Sequence, residues 1–533
     1  GMARDLQSLL ASGVGCDRWF HRRNQDFETK FGFHRAQVID KRWWIVDPNN
    51  RPRLSMGICH IGYDGDTDPT GRSPYGEAAR QRYGDAEAAY AAILKRRQDS
   101  PFYDRALFKH GWSRFKQGRI EAGLDSFTQL LDRKLSGLPV MQASQLSHAD
   151  QELLKETLRV ISLTFSELGG TRRITRYFDE RGHRDYEFMV YRGLGDLYQK
   201  QQRIRDSAEA YLAFVALNPA HPQAPRLAVQ VIDLYARHDF PALALESKKS
   251  FTKRYRVQGK HWKQLDPAGQ EWLSGKLRVY LKELAEYHHA LVQQNAGKDP
   301  KARAERAKLG DEAVFWYQRY LDSFPTETAS GNMSFLLGEL LNDLERFPEA
   351  VKYYERSAYL YPIHAKSSEA GYAAMLAYAS QEKRLTGEQK QTWHEAGIFS
   401  ALRFAKAFPQ NPRTPAVLTH AAEQLFAIKQ LEKARAAALQ VTAMQPPAKT
   451  ALRRTAWTVA AHAAFEQKAY QDAETGYQAA LALLPKRDKG RKDLQERLAA
   501  SVYQQGVSLR DQGDQPGAAR QFLRVGMLAP GAA

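Results

Sequence analysis

The chain has 533 residues, 43% of them hydrophobic and 26% charged, and it carries a formal net charge of +18. The length exceeds the about 250–300 residues at which a single core stops growing, and the composition is that of a folded protein, so several cores or a repeat array are expected and a disordered chain is excluded. No apolar run reaches the about 20 residues that span a bilayer, and the positive charge favours acidic partners.

Residues 1–80 form an N-terminal segment with the signals of a β-hairpin. Aromatic and β-branched residues at 42–46 and apolar residues at 54–60 flank a Pro/Asn turn at 47–50. Residues 36–62 resemble the N-terminal hairpin of agarase-like glycoside hydrolases, in which a WW-V-DP strand precedes an S-G-N-H strand. That resemblance implies a (β/α)8 barrel of about 250 residues with two catalytic carboxylates. Helical repeats begin at residue 83 instead, so we expect a remnant or a small binding element.

The sequence predicts no metal site and no cofactor. Cys16 and Cys59 are the only cysteines, too few for a disulfide framework or a zinc site of their own. The acidic run at 64–68 has Pro69 and Tyr75 where an EF-hand loop needs glycine and glutamate. The chain also has no P-loop, no G-x-G-x-x-G and no G-x-S-x-G motif.

From residue 83 onwards, five stretches carry the same order of large and small residues, which predicts paired helices that approach closely. The stretches are Leu107, Gly111, Phe115, Gly118, Gly123 and Phe127; Tyr191, Leu194, Gly195, Tyr198, Ser207, Tyr211, Phe214 and Pro219; Leu337, Gly338, Leu341, Ala350, Tyr354 and Pro362; Trp457, Ala461, Ala464, Ala473, Tyr477, Ala480 and Pro485; and Gly506, Leu509, Gly513, Ala518, Phe522 and Pro530. Proline closes most of these stretches, because it cannot continue a helix. The order resembles the tetratricopeptide (TPR) repeat, a helix–turn–helix unit of about 34 residues.

The resemblance covers about residues 83–530 and implies an all-α TPR superhelical solenoid of roughly ten helix pairs. The N-terminal segment with its β-hairpin precedes the solenoid. We predict four regions: residues 1–80 as the N-terminal segment, 81–256 as the first half of the array, 257–310 as a degenerate or insert-bearing repeat, and 311–533 as the second half.

In TPR proteins the first helices of successive repeats line a concave groove that holds a partner. By helical geometry this groove would present a mixture of aromatic and charged side chains. The predicted groove residues are Arg105, Phe108, Trp112, Arg192, Asp196, Lys200, Phe335, Glu339 and His462. TPR clamps for a C-terminal carboxylate carry Lys and Asn at positions that here hold Phe108, Trp112, Phe335 and Glu339, so a clamp of that kind is not expected.

The two ends of the array differ from a capped solenoid. The repeats open at residues 83–90 on what resembles a second helix, and they close without a polar capping helix. Leu509, Phe522 and Val525 would then lie on an uncovered apolar face, which often marks an interaction site. We therefore predict a possible end interface there, either with a second copy as a homodimer or with a continuation of the array.

These features together favour a non-enzymatic scaffold for protein–protein interaction. The partner would be a protein or peptide, with an acidic partner or a polysaccharide also compatible; nucleic acid is disfavoured, because the repeat aromatics are core residues. The resemblance to bacterial multi-repeat proteins implies envelope assembly or polysaccharide export, in the periplasm or cell envelope in preference to the cytoplasm. Two alternatives stay open: a glycoside-hydrolase-related fragment acting on polysaccharide with an accessory TPR array, and an adaptor for acidic polymers.

Overall fold

The computed structural model describes residues 20–21, 35–39, 42–46, 52–54, 74–96, 100, 102–135, 146–295, 297 and 299–528. The chain divides into two compact units, Gly1–Asn218 and Pro219–Ala533. The first unit contains short strands followed by helices, and the second unit is helical in its described residues.

The strands of the first unit form a four-stranded antiparallel sheet in the order β1-β4-β3-β2. They are β1 Phe20–His21, β2 Arg35–Ile39, β3 Arg42–Val46 and β4 Pro52–Leu54. Strand β3 pairs with β2 on one side, through Ile39 opposite Arg42, and with β4 on the other, through Ile45 opposite Arg53. The predicted turn at 47–50 and the predicted strand residues 55–60 lie outside the described residues.

Twenty-one α-helices follow in the described part of the chain. In the first unit they are α1 Pro74–Arg96, α2 Tyr103–Lys116, α3 Ile120–Leu135, α4 His148–Glu167, α5 Thr171–Arg181, α6 Glu187–Lys200 and α7 Ile204–Leu217. In the second unit they are α8 Ala224–Arg237, α9 Pro241–Arg254, α10 Pro267–Gln294, α11 Pro300–Ser323, α12 Thr328–Asp343, α13 Phe347–Tyr359, α14 Ser367–Glu382, α15 Gly387–Ala407, α16 Thr414–Ala427, α17 Leu431–Thr442, α18 Thr450–Glu466, α19 Tyr470–Ala482, α20 Arg491–Asp511 and α21 Gln515–Leu528. A 3-10 turn at Trp262–Gln264 precedes α10.

After α1, the helices pack as consecutive pairs, each a first helix and a second helix, from α2–α3 to α20–α21. Short connections within the pairs make the two helices antiparallel neighbours. First helices of adjacent repeats also pack on one another, as α2 on α4 and α4 on α6 in the first unit, and α16 on α18 in the second. This is the repeat arrangement that the sequence predicts, and all five predicted stretches coincide with helix pairs.

A glycine on the first helix and an aromatic ring on the second hold each of the best-defined pairs together. A Cβ atom on Gly195 would come within 2.3 Å of the Tyr211 ring, and one on Gly338 within 2.5 Å of the Tyr354 ring. Glycine is needed there because any larger residue would displace the ring. The same contact joins Gly111 to Phe127 and Gly506 to Phe522.

Helix α1 is joined to the first helix pair by a buried carboxylate. Glu87 accepts hydrogen bonds from Arg114 Nε at 2.7 Å, Gln117 Nε2 at 2.8 Å and Arg119 Nη1 at 2.8 Å. Burial alone would raise the pKa of Glu87, but the hydrogen bonds from Arg114 and Gln117 and the charge of Arg119 lower it overall. The contact fixes α1 against α2 in the position that a preceding repeat helix would take.

Candidate partner-binding groove

The first helices α4 and α6 of the first unit enclose a groove of about 460 Å³. Its floor is apolar and includes Leu154 and Leu158 from α4 and Met189 and Leu197 from α6. A Cβ atom on Gly193 would lie 2.6 Å from Ser162 Oγ, so the two helices approach closely below the groove. The lining residues recur every three or four positions on each helix, so each helix presents one continuous stripe to the groove.

Three of the predicted groove residues, Arg192, Asp196 and Lys200, lie side by side along α6 and line this groove. Arg192 and Lys200 are exposed and separated by two helical turns, about 12 Å along the axis. Neither forms an ion pair within the described part of the chain, although the Arg192 guanidinium lies 5.8 Å from the centre of the Phe188 ring. The groove therefore offers two cations at its rim that are available to an anionic group.

The opposite wall of the groove also carries positive charge, in residues that the sequence analysis did not select. Lys155 and Arg159 on α4 line the groove, and each is paired with a carboxylate of its own helix: Lys155 with Glu152 at 3.4 Å and Arg159 with Glu156 at 2.8 Å. No repeat signature is visible in the sequence of α4, because residues 136–145 before it interrupt the spacing of the repeats. The apolar stripe of Leu154 and Leu158 was the signal that could have placed this helix.

Three predicted groove residues form hydrogen bonds with the tyrosine hydroxyl of their own repeat. Tyr211 Oη donates to Asp196 at 2.6 Å, Tyr354 Oη donates to Glu339 at 2.5 Å, and Tyr477 Oη shares a hydrogen bond of 3.4 Å with His462 Nδ1. Burial, followed by the hydrogen bond to the carboxylate, raises the pKa of Tyr211 and likewise of Tyr354. Each of these residues follows directly after the small residue against which the ring packs.

The repeats that carry phenylalanine in place of tyrosine have an apolar residue at the corresponding position. Phe127 packs on Gly111, which is followed by Trp112, and Phe522 packs on Gly506, which is followed by Val507. A phenyl ring has no hydroxyl to satisfy, so no acceptor is required there. Asp196, Glu339 and His462 therefore have an internal structural role in addition to any contact with a partner.

The three predicted groove residues on α2 occupy one helix face with different exposures. Arg105 is exposed, whereas Phe108 is half-buried and lies 5.9 Å from the Phe127 ring, against the core cluster of Tyr103 and Leu107. Trp112 is half-buried, stacks on Phe115 with ring centroids 5.5 Å apart, and is covered by Lys116 Nζ at 4.9 Å. Helix α2 packs on α4, so this face lies beside the helix that forms one wall of the α4–α6 groove.

The remaining predicted groove residues lie in the second unit and are not gathered into one site. Phe335 on α12 is only 5% exposed and packs 6.0 Å from the Tyr354 ring, so it belongs to the core of its repeat and offers little surface to a partner. Glu339 is half-buried on the same helix, and His462 is half-buried on α18. Burial lowers the pKa of His462, so its imidazole is neutral at pH 7.

The predicted end interface is partly internal. Phe522 is half-buried, packs over Gly506 and lies 5.4 Å from the Tyr503 ring, and Leu509 and Val525 are also half-buried. The most exposed apolar side chains on α21 are Leu523 and Met527, at 70% and 80% exposure. Leu523 and Met527 were not among the predicted end-interface residues, although the sequence places them one helical turn apart.

The described part of the chain holds no cluster of three or more His, Cys, Asp or Glu side chains arranged to bind a metal ion. Cys16, Cys59 and the acidic run at 64–68 lie outside the described residues. Among the described helices, none combines the length and apolar character needed to cross a membrane.

Comparisons with known proteins agree with the repeat geometry. Residues 77–140 match the family model described as tetratricopeptide repeat, and no curated protein gives a significant match. A solved structure of the C-terminal part of a TPR repeat-containing protein from Cytophaga hutchinsonii is similar at 14% identity and a TM-score of 0.24, over 56% of this chain and 97% of that one. A tetratricopeptide repeat protein from Parabacteroides merdae matches at 13% identity and a TM-score of 0.18, over 59% and 98%. Human IFIT1, solved as a dimer with PPP-AAAA, matches at 12% and 0.22, over 84% and 94%.

The helix packing shows an all-helical repeat in the described residues beyond the N-terminal strands, and residues 77–140 of it match the tetratricopeptide repeat model. Identities and TM-scores of this size carry no information about ligand or arrangement, so both rest on the chain's own geometry. No comparison supports the expected resemblance of residues 36–62 to agarase-like glycoside hydrolases.

Proposed function

We propose that this chain is a non-enzymatic scaffold that holds an acidic, partly apolar segment of a partner protein in the α4–α6 groove of its first unit. The observation that carries the proposal is the pair of cations Arg192 and Lys200, which form no ion pair with any described residue and lie above an apolar floor. Groups of this kind suit a segment whose carboxylates face the rim and whose apolar side chains face the floor.

Three properties of the groove support a peptide over a compact ligand. The groove is open to solvent, and α2 beside it carries the exposed cation Arg105. Leu158 and Leu197 are half-buried and supply the apolar surface that a partner can contact. Asp196 is held by Tyr211, which keeps the one carboxylate of the α6 stripe oriented towards its own repeat.

A binding titration with a defined probe tests this proposal. The probe is a fluorescein-labelled peptide of eight alternating glutamate and leucine residues, and binding to the full chain is followed by fluorescence anisotropy. We expect Arg192→Glu or Lys200→Glu to weaken binding by about fivefold or more each, because a cation facing the ligand becomes a repelling anion. The matched control is Arg172→Glu, which makes the same charge change at an exposed position on the second helix α5. Equal losses from Arg172→Glu and Arg192→Glu would show that net charge alone, and not the groove, binds the peptide.

An adaptor for acidic polymers is the second candidate, and the net charge of +18 favours it. A polysaccharide partner would then bind through the basic side chains alone and would not contact the apolar floor. Polyglutamate or an acidic polysaccharide should in that case displace the probe as well as unlabelled probe peptide does. We expect much weaker displacement, because these polymers have no apolar side chains to place against Leu158 and Leu197.

Absence of enzymatic activity is part of the proposal and has its own assay. Incubation with agarose, galactoside and glucan substrates should release no sugar above a buffer blank. Reproducible release that a single Glu or Asp substitution abolishes would replace the scaffold with the glycoside-hydrolase alternative.

We further propose a homodimer through the C-terminal end, with Leu523 and Met527 added to the predicted residues Phe522 and Val525. The support is the exposure of Leu523 and Met527 on α21. Light scattering over a dilution series should show a dimer that Leu523→Glu converts to a monomer. A wild-type chain that remains monomeric at high concentration would remove this part of the proposal.

By the resemblance to bacterial multi-repeat proteins, the setting we propose is envelope assembly or polysaccharide export.

A further inference from the structure

A second cleft lies within the second unit, between the first helices α14 and α16, and encloses about 500 Å³. Helix α14 contributes residues 372, 375, 376, 379 and 382, and α16 and its N-cap contribute residues 413, 416, 417, 420 and 424. Each set recurs every three or four residues, so two helical stripes face each other across the cleft. Ten residues of helix correspond to a length of about 15 Å.

The cleft is open because α14 and α16 pack less closely than the adjacent first helices α16 and α18 do. Small residues line the space where larger side chains would close it: Ala379, Gly397, Ala401 and Ala416. Its floor is provided by Ile398 of the second helix α15, which is buried. Leu376, at 54% exposure, provides an apolar wall that is open to solvent.

The two ends of the cleft carry opposite charge. At the N-terminal end of the helices, the Arg413 guanidinium lies 4.3 Å from the centre of the Tyr372 ring and forms no ion pair in the described part of the chain. At the C-terminal end, Glu382 accepts a hydrogen bond of 3.1 Å from His394 Nδ1. Both side chains are partly exposed. The helix dipoles have the same polarity, because the N-terminal ends of α14 and α16 are positive and their C-terminal ends negative.

Contacts between α14 and α15 hold one edge of the cleft in place. Trp393 Nε1 donates to the backbone oxygen of Tyr378 at 2.9 Å, and the two rings lie 5.0 Å apart. These contacts hold the start of α15 against the end of α14, so His394 and Glu382 stay in place at the anionic end. An open space with fixed walls favours binding, since little ordering is required when a ligand enters.

We propose that this cleft binds an extended segment of a partner protein in which two or three bulky apolar residues separate an acidic residue from a basic one. The length of the cleft matches about five residues of extended chain. The acidic residue would pair with Arg413, the apolar residues would contact Leu376 and Ile398, and the basic residue would pair with Glu382. This site is separate from the groove of the first unit and does not rest on the function proposed for it.

The test uses isothermal titration calorimetry on the full chain carrying Arg192→Ala and Lys200→Ala, which removes the cations of the first-unit groove without giving it negative charge. The probes are three capped peptides: the bipolar peptide DDLFLKK, and the uniformly charged peptides DDLFLDD and KKLFLKK. We expect the bipolar peptide to bind about fivefold or more tighter than either uniform peptide, because only it satisfies both ends of the cleft.

Filling the cleft supplies the decisive variant. Ala416 is exposed, so Ala416→Trp places an indole in the cleft without disturbing the core, and it should weaken the bipolar peptide by about tenfold or more. The matched control is Ala436→Trp, at an exposed alanine on α17 that does not line the cleft, which should leave binding unchanged. Arg413→Glu, which also changes an exposed side chain, should shift preference from DDLFLKK to KKLFLKK. Failure of the bipolar peptide to bind, or equal binding by the Ala416→Trp and Ala436→Trp variants, would overturn the proposal.

Discussion

At the scale of single residues, the pairing of tyrosine hydroxyls with the residue after the repeat glycine explains several side chains that resemble ligand-binding groups. Asp196 and Glu339 each accept a hydrogen bond from the tyrosine of the second helix. The ring is buried, so its hydroxyl needs a partner that water cannot supply. A polar residue at this position in the sequence is therefore first a structural requirement of a tyrosine-bearing repeat.

Removing one such hydroxyl should cost stability. Tyr211→Phe leaves the ring in place but deletes the 2.6 Å hydrogen bond to Asp196, and we expect the free energy of unfolding to fall by about 1–3 kcal/mol, as for hydrogen bonds to charged groups. Urea unfolding measures the change. Tyr503→Phe is the control, because Tyr503 is exposed and donates no hydrogen bond within the described residues. A loss of the same size in both variants would mean that the hydroxyl of Tyr211 contributes nothing specific.

Buried histidines give the fold a dependence on pH. Burial lowers the pKa of His110, His261, His288, His289 and His462 below the ordinary value of 6.5. A histidine whose pKa is lower in the folded state contributes its full stability above the unfolded pKa and loses it as the pH falls through the folded pKa. The carboxyls with lowered pKa, such as Glu87, lose their contribution only below their ordinary value of 4.5.

The thermal midpoint should therefore fall on acidification from about pH 7.5 to about pH 5, above the range in which the carboxyls titrate. Each histidine that gains a proton on unfolding contributes at most about 1.4 kcal/mol per pH unit. His289→Asn, which retains a group able to bond Tyr317 Oη, should reduce this dependence. A flat profile for the unaltered chain would contradict the assignment of neutral buried histidines.

At the scale of helices, the closeness of each pair is determined by the glycine beneath the aromatic ring. A Cβ atom on Gly338 would lie 2.5 Å from Tyr354 Cδ1, so α12 and α13 would have to separate or the ring would have to move. Overpacking of this kind costs about 1–3 kcal/mol, which exceeds the gain of up to about 1 kcal/mol from alanine's helix propensity.

Two glycine-to-alanine variants in helices test this balance with opposite expected signs. Gly338→Ala should lower the free energy of unfolding. Gly275→Ala in α10 should raise it by about 0.5–1 kcal/mol, because no atom outside its helix lies within 4 Å of the new methyl group and only propensity changes. Thermal or urea unfolding of both variants measures the difference. Stabilisation by Gly338→Ala would show that the helix pair is not held at the distance described.

Sequence predicted the helix pairs well, because their signals are local. Gly195 and Tyr211 lie in one repeat, and Pro219, Pro362 and Pro485 each follow the end of a second helix, as the order of residues in the repeats indicated. The grooves depend instead on how neighbouring repeats pack. Neither the depth of the α4–α6 groove nor the separation of α14 from α16 has a local signature, and Phe335 looked like a groove residue although tertiary packing buries it.

At the scale of the whole molecule, the excess of positive charge should act on any acidic partner. The net charge of +18 attracts anions over a range set by the ionic strength, about 10 Å at 0.1 M salt and about 3 Å at 1 M. Binding of the acidic-leucine probe should therefore weaken by about tenfold between low salt and about 0.5 M sodium chloride. The portion that survives high salt should depend on the apolar floor, and Leu158→Asp, at a half-buried position of that floor, should abolish it. Complete loss of wild-type binding in high salt would favour the adaptor for acidic polymers.

The central claim is that the first-helix face of the first unit binds a protein, and site-specific photo-crosslinking in the source organism tests it most directly. A photoreactive phenylalanine analogue replaces Arg105, Lys155 or Lys200 on that face, or, as controls, Arg172 or Glu209 at exposed positions on the second helices α5 and α7. After irradiation, adducts are separated by mass. We predict one discrete protein adduct that is shared by the three groove positions and absent from both controls. Adducts of equal yield from all five positions, or none from the groove positions, would contradict the account.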